Sequence, residues 1–434
     1  MRSVLFAAPE ADITKARLHE CRSCGLLQVV PALTPGVSAH CIRCDTTLHR
    51  ARRHPLEHSL ALTLAAIVLL VVMCVTTLMT VETAGISLSA DLLSGPAELV
   101  ERGMTALALV VVFVTLGAPL GKLLGTLYVL VGLRMTQPPR HLRRVFVLVE
   151  QLTPWSMIEV FVFGVLVAYV KLGDLVTITL GTGVYALFAL TFIMAWANGA
   201  LDRQAVWDAL DPSTSPDASL AHRPAAGSIG CEACGLVSVP TPDHARCPRC
   251  DSPLHARKPN SIARTWALVI AAAILYVPAN LYPVLTVVQL GAGAPSTILG
   301  GVRELISSRM YPLAALVFFA SIAVPMLKLV GLSVMLVALQ TGRSEALRDR
   351  TRLYHVVRWI GRWSMIDIFM ESLLGALVRF GSVITIEPGI GAVAFCGVVI
   401  LTMFAAETFD PRLMWDAALE RAPGGLNLAV SRKD

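Results

Sequence analysis

Eight of the ten cysteines fall in four Cys-x-x-Cys pairs, and the pairs come in two sets. Cys21 and Cys24 precede Cys41 and Cys44; Cys231 and Cys234 precede Cys247 and Cys250. Four thiolates on two tight turns form the donor set of a tetrahedral structural Zn²⁺ site, so the spacing predicts two zinc ions per chain, one per set. A module this short has little core of its own, and metal binding would supply its folding free energy, on the order of 10 kcal/mol. Arg22, Arg43, Arg246 and Arg249 lie beside the ligands and can offset the thiolate charge. A dithiol redox centre would use one pair rather than four cysteines per unit. Rubredoxin-like iron would use the same knuckles, and zinc is the expectation over both. Cys74 and Cys396 sit in apolar runs and are expected to pack rather than ligate.

A second group places polar chemistry inside apolar sequence. Lys328 lies too far from the Arg-rich end of its run to reach water, and a lysine inside a membrane needs partners in the bundle. Asp367 and Glu371 are the candidate acids. Ser321 shares a helix face with Lys328 by spacing, Ser364 shares one with Asp367 and Glu371, and Thr402 and Glu407 can join from the next helix. The first-half equivalents are Thr115, Lys122, Ser156 and Glu159. One reading is a buried ion pair that fixes helix register; the other is a cavity that binds a headgroup, proton or ion. Pro278 and Pro283 should kink or break the fifth helix, with Asn280 bonding the freed carbonyls, and broken membrane helices commonly line a site. The first half has Val75-Thr-Thr-Leu-Met-Thr80 there, so the main cavity is expected in the second half.

The elements that must carry these residues are apolar helices. The chain has 434 residues, of which 55% are hydrophobic and 15% charged, with mean hydropathy +0.67. Runs near 58–82, 104–133, 156–171 and 176–199, then 262–289, 311–339, 363–379 and 388–408, approach or exceed the ~20 residues that cross a bilayer. The expected fold is an all-α polytopic membrane protein of two tandem four-helix repeats, each preceded by a small cytoplasmic zinc ribbon. Its units are 1–56 with the first ribbon, 57–210 as the first repeat, a 211–228 linker, 229–258 as the second ribbon, 259–420 as the second repeat and a 421–434 tail.

The arginines of 134–144 and 343–362, against acidic or mixed outer connections, put the ribbons and both termini in the cytoplasm. Segments 139–154 and 344–361 read as amphipathic surface helices, and Trp155, Trp207, Trp363 and Trp415 as an interfacial belt. The net charge of +6 reflects the arginine-rich loops, with no aromatic-interleaved basic stripe for nucleic acid. No phosphate-binding Gly-x-x-x-x-Gly-Lys run and no nucleophile–base set is legible, so no enzymatic activity is expected.

The halves repeat in order. Pro119-Leu-Gly-Lys122 returns as Pro325-Met-Leu-Lys328, Trp155-Ser-Met-Ile-Glu159 as Trp363-Ser-Met-Ile-Asp367, and Trp207-Asp-Ala as Trp415-Asp-Ala. With the cysteine sets, this order resembles the paraquat-inducible protein A (PqiA/LetA) family, and Pro278-Ala-Asn280-x-x-Pro283 resembles that family's motif. The resemblance implies a bacterial inner-membrane protein that partners a periplasmic MCE-domain (mammalian cell entry) tunnel protein and moves phospholipid between membranes. An ion-coupled small-molecule transporter and a membrane scaffold are the other readings of the residues.

Overall fold

The computed structural model describes residues 17–52, 55–83, 86–135, 139, 141–173, 177–211, 227–240, 246–289, 292–342, 345–377 and 384–420. Most of the linker expected at 211–228 and all of the tail expected at 421–434 lie outside these residues.

Two short hairpins open the chain, β1 (Arg17–Glu20) with β2 (Leu27–Val30) and β3 (Ser38–His40) with β4 (Thr47–Arg50). The first half follows as α1 (Pro55–Val75), β5 (Met79–Thr83), β6 (Ile86–Ala90), α2 (Ser94–Glu101), α3 (Thr105–Gly132), α4 (Leu142–Leu152), α5 (Ile158–Gly173), β7 (Thr177–Leu180), α6 (Thr182–Ala200) and α7 (Arg203–Leu210). A third hairpin, β8 (Ile229–Gly230) with β9 (Val237–Ser238), begins the second module. The second half repeats the order as α8 (Ser261–Leu281), β10 (Leu285–Gln289), β11 (Ala292–Ser296), α9 (Ile298–Ser307), α10 (Tyr311–Thr341), α11 (Leu347–Ile360), α12 (Ile366–Leu377), β12 (Ile384–Pro388), α13 (Ile390–Thr408) and α14 (Arg412–Glu420).

Seven helical stretches are long and apolar enough to cross a membrane, where eight were expected. The missing one is 363–379. Its helix α12 has 12 residues, all buried, and a 3₁₀ turn at Gly361–Met365 precedes it. The third helix of the second half is short and enclosed by protein, whereas its first-half counterpart α5 keeps Phe163, Leu166, Tyr169 and Val170 exposed. α5 packs on α12 across the junction of the halves, with the Phe161 and Phe369 rings 5.5 Å apart and edge to face. The first and fourth helices of each half pair outside this centre, α1 with α6 and α8 with α13.

Two features depart from an all-helical reading. β5 pairs with β6 and β7, and β10 with β11 and β12, so each half ends in a three-stranded antiparallel sheet away from the cysteine modules. These strands occupy the ends of the runs expected as helix to 82 and 289. Hairpin pairing satisfies their backbone groups once the chain leaves the apolar layer.

The second departure lies in the long helices. α3 and α10 each contain a π-helical turn, Phe113–Gly117 and Phe319–Ala323, just before Pro119 and Pro325. A proline lacks an N–H and crowds the carbonyl four residues back, and widening the turn relieves that crowding.

The break expected at Pro278 does not form there. α8 runs through Pro278 to Leu281, and Pro283 lies beyond its end. Asn280 Nδ2 donates to the Tyr276 carbonyl at 2.8 Å, and the Tyr282 N–H to the Pro278 carbonyl at 3.0 Å, so local bonds carry the last turn. Both halves therefore leave the first long helix for a strand at the same place, with or without proline.

Candidate functional site

Each cysteine pair closes on the same backbone turn. The N–H of the residue after the second cysteine donates back to the first cysteine's carbonyl: Gly25 to Cys21, Asp45 to Cys41, Gly235 to Cys231 and Asp251 to Cys247, at 2.8–2.9 Å. All four of those residues take the left-handed conformation, with φ of 71°, 64°, 74° and 61°. Glycine does this without strain, and aspartate is among the few other residues that visit it readily.

The eight thiols are buried and free of disulfides. Within each set the four sulfurs lie within 4.8 Å of one another, with Cys21–Cys44 at 3.4 Å and Cys24–Cys41, Cys231–Cys250 and Cys234–Cys247 at 3.5 Å. Four sulfurs at that spacing fit around one tetrahedral ion with metal–sulfur bonds of about 2.3 Å. Each set can hold one metal ion.

The modules dock crosswise. The first cysteine set packs on Trp415 and Leu347 of the second half. Ser23 Oγ meets His355 Nε2 at 3.0 Å, Arg348 donates to the Arg43 carbonyl at 2.8 Å, and Arg43 stacks over Trp415 at 5.5 Å. Burial first, then Arg358, pushes His355 below the usual imidazole range. The second set packs on Leu142, Phe146, Val206 and Trp207 of the first half. There the Arg249 guanidinium reaches Asp208 at 3.0 Å, and Arg143 donates to the Arg249 carbonyl at 3.3 Å. Two expectations change. α4 and α11 turn their apolar faces to protein, and Trp207 and Trp415 are buried docking residues rather than a lipid-facing belt. Trp155 and Trp363 rest on Phe404 and Phe163, with ring centres 5.1 and 5.0 Å apart.

Arg412 ties both modules to the second half. Its guanidinium donates to Asp410 at 3.0 Å, to Glu20 at 3.2 Å and to Glu232 at 2.5 Å. Glu20 immediately precedes Cys21, and Glu232 lies between Cys231 and Cys234. Glu20 also accepts from the Gly230 N–H at 2.5 Å, a direct link between the modules. Burial alone would raise the Asp410 carboxyl, but the Arg412 charge and hydrogen bonds outweigh it and hold the group below the ordinary range. Arg412 carried no signal in the sequence beyond being a cation near a membrane end.

The intramembrane residues divide into two groups rather than one. Lys328, Ser321, Ser364, Thr402, Asp367 and Glu371 are all buried. Lys328 Nζ donates to Thr402 Oγ1 at 2.9 Å and to the Gly361 carbonyl at 3.2 Å. The lysine stem lies in van der Waals range of Gly361, where a Cβ would stand 3.6 Å from Lys328 Cδ. The expected Lys328–Asp367 bridge is not formed. Asp367 and Glu371 lie instead in the field of Lys171, at the end of α5 in the other half. Asp367 Oδ1 and Ser364 Oγ are buried without hydrogen-bond partners among the described residues.

Ser321 and Thr115 sit inside the two π turns and donate to carbonyls of their own helices, Val317 at 2.6 Å and Val111 at 2.7 Å. In the first half, Lys122 Nζ donates to Asn198 Oδ1 at 2.5 Å, Glu159 is the acid whose charge acts on it, and Ser156 Oγ is buried without a hydrogen-bond partner among the described residues. Pro278, Asn280 and Pro283 lie at the far end of α8 from the modules and take no part in the Lys328 contacts. Glu407 is likewise outside that cluster, paired with Arg358 at 2.9 Å on the module side. Lys171, Asn198 and Gly361 were not singled out from sequence; only a lysine in a short apolar helix could have flagged the first.

Paired four-cysteine modules docked crosswise on a duplicated helical bundle, with polar side chains sealed inside, define a polytopic helical membrane protein built by internal repetition. The chain belongs to the paraquat-inducible protein A family, whose model matches residues 56–211 and again 262–418. It is 36% identical over 402 residues to the Intermembrane transport protein PqiA of Escherichia coli (strain K12), covering 91% of this chain and 95% of that protein. It is 30% identical over 419 residues to the Lipophilic envelope-spanning tunnel protein A of the same strain, covering 96% and 95%. A Probable intermembrane transport protein of Haemophilus influenzae is 27% identical over 417 residues, covering 94% and 98%. No solved structure matches.

Proposed function

We propose that this chain is the inner-membrane subunit of an intermembrane lipid transport system, loading phospholipid into or unloading it from a periplasmic MCE-domain tunnel protein. Membership of a family whose relatives are named for intermembrane transport supports the process. One observation carries the site. Among the described residues Lys328 is buried with only neutral acceptors, and the separate Asp367 group keeps Asp367 Oδ1 and Ser364 Oγ buried without hydrogen-bond partners in the same half. A buried charge without a counter-charge costs several kcal/mol, and a structural role would be served as well by apolar packing. Taken together, the two groups make a polar path suited to a passing headgroup, proton or ion. Ser321, Thr402 and Glu371 complete it, and the Pro278-Asn280-Pro283 turn lies at the outer mouth of the same half.

The two cysteine sets each hold one structural Zn²⁺ on the cytoplasmic side, with both termini on that side. The chain's own residues then orient and dock the modules, and the metal supplies their cohesion. No catalytic step is assigned.

Reconstitution with the MCE-domain partner tests the reading through exchange of fluorescent phospholipid between vesicle populations. Lys328→Ala and Asp367→Ala should each stop exchange while the protein still inserts. Because the two do not pair, the double variant should not recover. Full exchange by the double variant overturns the assignment and favours the scaffold.

A further inference from the structure

A cavity of about 410 Å³ opens where the first cysteine module meets the module-side end of α6, apart from the metal sets and from the Lys328 cluster. Arg50, Arg52, Trp196 and Gly199 form its chemically distinctive wall, and among the described residues no carboxylate lines it. Among the described residues neither arginine makes an ion pair. Trp196 is 69% exposed near the end of an apolar helix, where an indole ring lies at the membrane–water boundary.

The second half provides an internal control. Aligning Trp207-Asp-Ala with Trp415-Asp-Ala sets Trp196 opposite Phe404 and Gly199 opposite Glu407. There the cations are answered by the chain itself. Arg257 meets Asp416 at 2.6 and 2.9 Å, Lys258 Nζ reaches the Glu407 carbonyl at 2.5 Å, and Arg358 pairs with Glu407 at 2.9 Å. In the first-half corner Arg52 stands where Lys258 does and Arg50 where Ala256 does, while Gly199 replaces the acid Glu407.

We propose that this corner binds the phosphate of an anionic phospholipid headgroup, from the leaflet that faces the cysteine modules. Two guanidinium groups can grip a phosphate with paired N–H donors, and Trp196 would lie along the glycerol region. A zwitterionic headgroup is disfavoured because, among the described residues, no carboxylate lines the cavity to receive its ammonium. The inference stands apart from the transport reading and holds for a transporter or a scaffold alike.

The test places the full-length protein in vesicles of phosphatidylethanolamine with phosphatidylglycerol and counts retained lipid by native mass spectrometry. One phosphatidylglycerol should be held above the phosphatidylethanolamine background. Gly199→Glu should weaken that retention about tenfold or more, because it installs the second-half acid beside both arginines. A Cβ at Gly199 meets nothing within 4 Å, so the variant fits the fold. Arg50→Gln/Arg52→Gln should weaken it roughly thirtyfold with metal content unchanged. Inorganic phosphate at millimolar concentration should not compete. Unchanged retention in Gly199→Glu, equal retention of phosphatidylethanolamine, or displacement by phosphate alone would each overturn the proposal.

Discussion

The two halves place a lysine at the same point of the second long helix, three residues past the proline that follows a π turn, and then surround it differently. Lys122 reaches the amide oxygen of Asn198 and has Glu159 in its field. Lys328 reaches a hydroxyl and a backbone carbonyl, with no acid bonded to it among the described residues. The difference lies in the neighbours. The position of Asn198 is Ala406 in the second half, and that of Thr402 is Met194 in the first. Duplication preserved the costly residue and let its solvation diverge, so one copy is answered and the other is left poised. The cysteine modules did the reverse, keeping all four knuckles alike while each docked under the opposite half.

The largest effect should come from the modules. Cys234→Ser should remove one of two metal ions and unfold the second module, at a cost on the order of 10 kcal/mol to that unit. Crosswise docking adds a specific consequence: limited proteolysis should open α4 and α7 of the first half, while Cys24→Ser should open α11 and α14 of the second. Elemental analysis with protease mapping checks both. Damage confined to the half that follows each module in sequence would break the crossed arrangement.

Arg412→Met comes next. It leaves Asp410 buried without its cation and severs both modules from the bundle, at about 3–5 kcal/mol. Thermal unfolding in detergent should show a clear loss, while Arg348→Met, on an exposed contact, should show little. The same pair gives an acid limit. Because the folded Asp410 sits below its unfolded value, its contribution is complete at neutral pH and is lost as pH falls through the folded value, below about 3.9. Arg412→Met should flatten that acid limb of the stability curve.

The lysine comparison is sharpened by Lys122→Met and Lys328→Met. Both should insert, since an apolar chain of similar volume replaces a buried cation. Lys328→Met should lower lipid exchange at least about tenfold, and Lys122→Met by much less. Equal losses would show that the two surroundings do the same work. A smaller change, Thr402→Val, removes one of the acceptors of Lys328 and should cost about 1–3 kcal/mol. Met194→Thr, placing that hydroxyl in the first half, should cost about 2 kcal/mol or more, because Met194 is buried and Asn198 already serves Lys122.

Much was legible from local rules. The four-cysteine sets, the duplication, the apolar helices and the equivalence of Lys122 with Lys328 all follow from spacing, because ligand turns and helix faces are set by residues close in the chain. The outer sheets were missed because strands such as Met79–Thr83 continue an apolar run and declare themselves only through pairing partners, one of them nearly a hundred residues away.

What tertiary structure alone decided is who faces whom. Asp367 and Glu371 lie in the field of Lys171 from the other half rather than bonding Lys328, and Trp207 and Trp415 cover cysteine sets that belong to the opposite repeat. In a duplicated chain every ligand, acid and docking aromatic occurs twice, so local pattern fits a partner in either copy equally well. Only the packing of one half against the other breaks that tie, and here it was broken across the repeats.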